Sequence, residues 1–342
     1  MRIIACILFT TSSAFAQTTV DFQVDDARAQ QVGVDPTEIE QGISSYVEDA
    51  LRIVDADAFM ASMSEATAIA GKGLGVDYAS NPQQFVFGIS IGTGANASGL
   101  VLDRDDGTLP EGGFAAQTSA MAGLNLGLLD GSSDDEGLQF LDRFVVSVHG
   151  MSFRAPGNSR TFQGSMYNYG GHVTMKLIGH GEKGILDWGG LALTTGYEHA
   201  TYRLRFTGDA PFSTDADDVN VRWNATGVYD LVSDVESIPF ELSSNVRVSV
   251  VTVFLGAGVD LNVGRTTGVG ALSGPIIVEV DSGAESIGTG EVASDATGDS
   301  EPLAVRGFGG VQVNILPVKL YAAIHGSSRA SASLQAGLRI AM

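Results

Sequence analysis

From Gln84 to the last residue, apolar side chains recur at every second position, and this periodicity limits the possible folds more than any other feature of the chain. Strand side chains alternate between faces with period two, so each such run is a strand with one greasy side and one wet side. Phe85, Phe87, Ile89 and Ile91 alternate with Gln84, Val86, Gly88 and Ser90. Tyr167, Tyr169, Gly171, Val173, Met175 and Leu177 face away from Asn168, Gly170, His172, Thr174 and Lys176. The final run, Arg329 to Met342, sets Ala332, Leu334, Ala336, Leu338, Ile340 and Met342 against Ser331, Ser333, Gln335, Gly337 and Arg339, and reads as a closing strand.

Beyond the first residues, nothing approaches the roughly 18 to 20 uncharged apolar residues of a membrane-spanning helix. If the chain crosses a bilayer, it does so with strands. About 260 residues from Gln84 onward hold roughly 12 tilted strands, with 10 to 14 as the range. The expected fold is therefore all-β, a transmembrane antiparallel β-barrel over residues 81–342. Two places leave alternatives open. The apolar side changes phase near Ala200, where Tyr202, Leu204 and Phe206 take over, which is a bulge or a turn. The frame also changes at Val250 and Val251, through a hairpin near Ser243 to Asn245 or a bulge inside a long strand. The acidic, Gly/Ser-rich run from Asp281 to Glu301 reads as the longest loop.

Ahead of the barrel the period is 3.6. After a polar lead from Thr18 to Gly33, Asp35, Pro36 and Glu38 form a helix start, and Ile39, Ile43, Tyr46, Val47, Ala50 and Val54 share one face. A second helix after Asp55 aligns Phe59, Met63, Ala66 and Ala70 and stops at Gly71. Residues 17–80 thus form an N-terminal helical segment, a plug or a periplasmic cap. Residues 1–16 carry Arg2, an apolar core and Ala14-Phe15-Ala16, the pattern of a cleaved secretory signal. The only cysteine, Cys6, lies inside it, so no disulfide framework or thiolate metal site is expected downstream.

A net charge of −21 argues against nucleic-acid binding. Acids crowd the expected loops, at Asp103, Asp105, Asp106 and Glu111, at Asp134, Asp135 and Glu136, and at Asp209, Asp215, Asp217 and Asp218. The histidines His149, His172, His180, His199 and His325 show no catalytic or metal-binding spacing, and no enzyme activity or cofactor is expected. Asp103 to Gly107 misses the calcium-loop pattern by one position. The polar faces carry Arg143, Lys176, Arg203, Arg205, Arg222, Arg247, Arg306, Lys319 and Arg339 against Glu198, Asp230, Glu241, Asp260 and Glu279. As a lumen lining that bias would attract anions, and the bland reading is that opposite charges pair across the lumen and fill it.

The leader, the period-two region and the terminal strand together resemble bacterial outer-membrane β-barrel proteins. The resemblance implies the outer membrane of a Gram-negative cell, with outer-membrane lipid and the barrel-assembly machinery as partners. An aromatic girdle would come from Tyr167, Tyr169, Trp188, Tyr197, Tyr202, Trp223 and Tyr229. The helices resemble the lumen plug of the long-chain fatty-acid transporter family, whose Asn-Pro-Ala motif is begun by Asn81-Pro82 and broken by Gln83. The functional expectation is a passive channel or transporter for small or amphipathic solutes. The alternative is a surface-interaction or structural barrel with a filled lumen, whose partner is an unknown surface ligand; a soluble β-sandwich is the third reading.

Overall fold

A computed structural model describes residues 17–52, 56–80, 82, 84–97, 112–129, 140–155, 161–179, 181–183, 185–216, 219–280 and 283–342. The expected leader, Asn81 and Gln83, the acidic runs at 103–111 and 134–136, and His180 lie outside them. All thirteen strands belong to one sheet. They are β1 (Gln17–Val24), β2 (Phe85–Asn96), β3 (Gly113–Asn125), β4 (Phe144–Arg154), β5 (Phe162–Ile178), β6 (Gly181–Lys183), β7 (Leu186–Ala216), β8 (Val219–Val248), β9 (Val251–Val280), β10 (Gly283–Asp299), β11 (Leu303–Ile315), β12 (Val318–Ser327) and β13 (Ser331–Ala341). The helices are α1 (Asp26–Gln31), α2 (Pro36–Arg52) and α3 (Ala56–Ala70).

Ten strands close a ring, in the order β2, β3, β4, β5, β7, β8, β9, β11, β12 and β13, with β13 pairing back onto β2. Every neighbour is antiparallel, so the ring is a barrel at the low end of the expected range. Closure removes the edges of an open sheet, as a bilayer demands, except where β3 and β4 part above Ala120.

The faces are inverted relative to a soluble protein. Ile89, Leu255 and Leu334 point outward at 63–65 % exposure, while Gln312 and Arg306, at 0 % and 1 %, point inward. A β-sandwich would hide the first group in a dry interior; here the apolar rows form the outer wall. On β5 the outward row runs Met175, Val173, Gly171, Tyr169 and Tyr167 before turning polar at Ser165 and Gln163. That apolar stretch matches the roughly 9 to 11 tilted residues that cross a hydrocarbon core. The expected transmembrane barrel is the observed fold.

We call the end where β2 begins and β13 finishes the lower end. Its connections include the two-residue turns Ser249-Val250 and Leu316-Pro317. At the upper end β7, β8 and β9 continue well past the apolar belt as a sheet, and β10 takes over from β11 along the edge of β9. β1 then pairs with β10. The same face that lines the lumen lower down is covered here by α2 and the turn before it, with Val34, Ile39 and Ile43 packed on Val221, Trp223, Ile276, Val278, Ile287 and Val292.

This extension explains where the sequence misleads. The phase change near Ala200 is neither bulge nor turn, since β7 pairs with β8 in step across it. Below that point lipid selects apolar residues outside; above it α3 and α2 select them inside, where Tyr202 and Leu204 now pack. The turn between β8 and β9 is at Ser249-Val250, not near Ser243 to Asn245, and no bulge is needed. Residues 283–299 form β10 rather than a loop, because a strand outside the bilayer shows a polar outer row, Glu285, Thr289, Glu291, Asp295 and Asp299. The polar lead contains β1, whose Val20, Phe22 and Val24 join the packed face.

Candidate functional site

The lumen is occupied by the chain's own N-terminal segment. α3 enters from the upper end and residues 71–80 continue downward, so the chain passes through the barrel before β2 begins at the lower end. Small residues make this possible. A Cβ on Gly92, Gly94 or Gly113 of the wall would collide with the backbone of Ala70, Ala66 or Ser62 on α3. Within the segment Leu74 N–H donates to Gly71 O and Val76 N–H to Gly73 O, and for other carbonyls the wall supplies donors. Gln335 donates to Lys72 O, Ser147 to Gly75 O at 2.9 Å, Arg339 to Val76 O at 2.6 Å, Asn245 to Tyr78 O at 2.8 Å and Asn125 to Pro82 O at 3.1 Å. Buried backbone groups left unpaired are expensive, so these side chains fix the path of the segment.

Charge pairs lock the centre. Arg306 of β11 donates from Nε to Asp260 at 2.9 Å and from Nη2 to Glu241, and approaches His325 Nδ1 at 2.7 Å. Lys72 of the plug meets Glu198 at 2.9 Å and Asp260 at 3.7 Å, and Tyr78 donates to Glu241 at 2.7 Å. His172 lies 3.2 Å from Glu198. Near the lower end Arg339 binds Asp77 at 3.1 Å and stacks 3.7 Å from the Tyr321 ring. Each cation thus has a carboxylate partner, and both come from different elements, so the pairs join plug to wall and strand to strand.

The ring has a parted seam. β3 and β4 pair only from Ala120–Gly150 down to Asn125–Val145, although β3 reaches up to Gly113 and β4 to Arg154. Above Ala120 the edge of β3 is met instead by side chains. Ala116 N–H donates to the Tyr202 hydroxyl at 2.8 Å, and Asn168 donates to Thr118 O at 2.7 Å. Beside this gap lies a partly open cavity of about 280 Å³, lined chiefly by Ala116, Phe153, Phe162, Met166, Tyr202 and Leu204. Its walls are almost wholly apolar, the lining expected of a site for a small apolar solute.

The expected lumen-lining cations divide in two. Arg306, Lys319 and Arg339 are buried on the inner face, Lys176 is half-buried there, and Arg247 stands at the lower rim, paired to Asp187. Arg203, Arg205 and Arg222 do not line the lumen. They belong to the upper extension and point outward, Arg205 to Asp230 and Arg222 to Glu279, because above the bilayer the outer face is the wet one. Arg143 is exposed in a short 3₁₀ turn, Leu141–Arg143, below the ring. The girdle shrinks for a related reason: Tyr167, Tyr169, Trp188 and Tyr197 face outward, whereas Tyr202, Trp223 and Tyr229 pack inside. Lys72, Asp77 and Tyr78 were not legible as site residues. A lysine inside a short Gly-rich run after a helix was their only signal.

Among the described residues no group of His, Cys, Asp and Glu could hold a metal ion, and no helix is long and apolar enough to cross a membrane. The family described as Lsa36-like matches residues 13–342. No curated protein matches. Among solved structures, Omp33 of Acinetobacter baumannii is similar at 9 % identity and a TM-score of 0.25, covering 76 % of this chain and 100 % of that one. The translocator domain of the autotransporter NalP from Neisseria meningitidis is similar at 10 % identity and a TM-score of 0.28, covering 88 % and 98 %. A Pseudomonas aeruginosa FadL homologue is similar at 8 % identity and a TM-score of 0.23, covering 82 % and 97 %.

Proposed function

The chain belongs to the Lsa36-like family, and from that premise we propose that it is a plugged outer-membrane transporter for small apolar or amphipathic solutes. The observation that carries the reading is the apolar cavity beside the parted β3–β4 seam, next to the plug. A polar pore is not what the interior supports: the charges at its centre are paired and its cross-section is filled by α3 and residues 71–80. A solute that prefers the seam cavity to water has the chemistry of its lining, aromatic and aliphatic with hydrogen-bond groups at the rim. The lower end is the periplasmic side because the strands that run past the belt, β7 to β9, do so at the upper end, and the long extramembrane parts of such barrels stand outside the cell.

The test is uptake by proteoliposomes holding the full chain, with a small labelled aromatic hydrocarbon and a sugar of similar mass as probes. Ala116→Trp, which fills the cavity, should slow hydrocarbon uptake to the protein-free rate and leave sugar exclusion unchanged. Equal uptake by wild type and protein-free liposomes sinks the reading.

One observation favours a second reading. The extension of β7 to β10 with β1 and α2 is a surface structure outside the belt, larger than closing the barrel requires, so a surface-interaction role for it is the alternative. Loss of binding to host or cell-wall material after replacing 207–228, with uptake intact, would favour that role.

A further inference from the structure

We propose that the outer wall of the barrel carries a binding site for the phosphate of an outer-leaflet glycolipid, built on Arg154 and Arg203. The registers place it. Arg154 of β4 pairs with Ser165 of β5, and Ser165 pairs with Arg203 of β7, so the three lie on one cross-strand row. All three point outward, into a groove that also holds Gln163 and Arg205. At twice the strand spacing, the two arginine Cα atoms are roughly 10 Å apart, a gap that two guanidinium side chains close on one phosphate with the serine hydroxyl between them.

Charge distinguishes this row from its surroundings. The net charge is −21, and the outward arginines of the upper strands are matched by carboxylates: Arg205 with Asp230 at 2.6 Å, Arg222 with Glu279 at 3.1 Å, Arg265 with Asp299 at 2.7 Å and Arg329 with Glu301 at 3.3 Å. Arg154 and Arg203 have no such partner among the described residues, and the one acid of the groove, Asp230, is already taken by Arg205.

Height identifies the ligand. The row below, Tyr167 and Thr201, opens the aromatic girdle with Tyr169 and Tyr197, whose rings mark the boundary of the hydrocarbon. The arginines therefore stand at the level of lipid headgroups and face them, not the lumen. Arginine forks match phosphate oxygens bidentately, and a monoester phosphate carries more charge than a glycerophospholipid diester. At the upper, external end the lipid of that description is the phosphorylated glycolipid of the outer leaflet. The inference rests on the outer-membrane placement proposed above and not on transport.

The protein, extracted from outer membranes in mild detergent, would be analysed by native mass spectrometry for retained glycolipid. Wild type should keep one phosphorylated glycolipid per barrel. The double variant Arg154→Ser/Arg203→Ser should keep about tenfold less, the scale of one lost charge-assisted pair of contacts, with the heat-dependent gel shift unchanged. Ser165→Asp, which sets a carboxylate between the arginines, provides a second variant with the same expected loss. Equal retention by these variants, equal retention of dephosphorylated glycolipid, preference for phosphatidylglycerol, or full displacement by millimolar inorganic phosphate would each overturn the proposal. Hydrocarbon uptake by the double variant should stay at the wild-type rate, which separates this site from the seam cavity.

Discussion

Arg306 and Asp260 meet at 2.9 Å inside the barrel, at a level where the outward neighbours on the same two strands are Val305, Leu261 and Val259. The pair is the centre of a network with Glu241, Lys72 and Glu198, and every member is buried. Removing one charge from such a set leaves its partners desolvated and uncompensated. Arg306→Ala should therefore destabilise the barrel by about 3–5 kcal/mol. The temperature at which the unboiled band converts to the unfolded one would report it, and Glu241→Gln with Asp260→Asn should restore much of the loss. An unchanged conversion temperature in Arg306→Ala would mean that the network does not hold the plug.

The plug also depends on having no side chain opposite it. A Cβ at Gly94 would overlap Ala66 O and the neighbouring backbone of α3, and helix backbone cannot move aside without leaving the wall. Gly94→Val should lift α3 from β2 and open a water path. Planar-bilayer recordings should then show conductance several-fold above wild type, while Gly307→Val, with open space at its Cβ, should not. Silent channels in a correctly inserted Gly94→Val protein would show that the helix tolerates the shift.

Much of this was legible in the sequence, and the boundary is physical. Alternation identifies strands wherever the two sides of a sheet meet different media, which is why Phe85 to Ile91 and Ser331 to Met342 read correctly. It does not say which side is inside. At Leu191 and Leu193 the apolar row faces lipid; at Tyr202 and Leu204 of the same strand it faces α3, and the two look alike in sequence. The same ambiguity put Arg203, Arg205 and Arg222 in the lumen. Lys72 stayed hidden because its partners, Glu198 and Asp260, lie far away in sequence and are brought together only by ring closure.

At the seam, the Tyr202 hydroxyl accepts the Ala116 N–H that β4 leaves unpaired. Tyr202→Phe keeps the ring and removes the acceptor, so the amide must find water or go unsatisfied, at a cost of about 1–3 kcal/mol locally. Amide exchange at Ala116 should accelerate by about fivefold or more, with Leu124, inside the paired part of β3, unaffected. Equal protection in both proteins would show that the edge is not held by this bond.

Arg205 bonds both oxygens of Asp230 at 2.6 Å and holds that carboxyl below the usual carboxylate range. A depressed carboxylate contributes stability above its unfolded pKa and loses it as pH falls through the folded value, so the pair stays formed at neutral pH and breaks only in acid. Both groups are exposed and the contribution to stability is small. The consequence for the neighbouring groove is larger. Asp230→Asn should free Arg205 and raise glycolipid retention at pH 7 by about twofold, while wild-type retention should fall between pH 7 and pH 5 because the monoester phosphate takes up its second proton at about pH 6, with the Arg205–Asp230 pair still formed. Lower retention in Asp230→Asn would mean that the acid organises the groove instead of occupying one of its arginines.

Because the chain runs down the lumen, β1 and the start of β2 are on opposite sides of the membrane although one continuous segment joins them. Thr19 on β1 is exposed on the upper extension, and Val250 is exposed in the turn at the lower end. The only native cysteine is Cys6, in the expected leader, so single cysteines report position cleanly. On intact cells a membrane-impermeant maleimide should label Thr19→Cys, and Val250→Cys only after lysis. The reverse pattern would place the short turns outside, leaving Arg154 and Arg203 facing the inner leaflet, where the phosphate they were assigned is absent. Labelling of neither would mean that the upper extension is covered on the cell, and labelling of both that the barrel lets the reagent through.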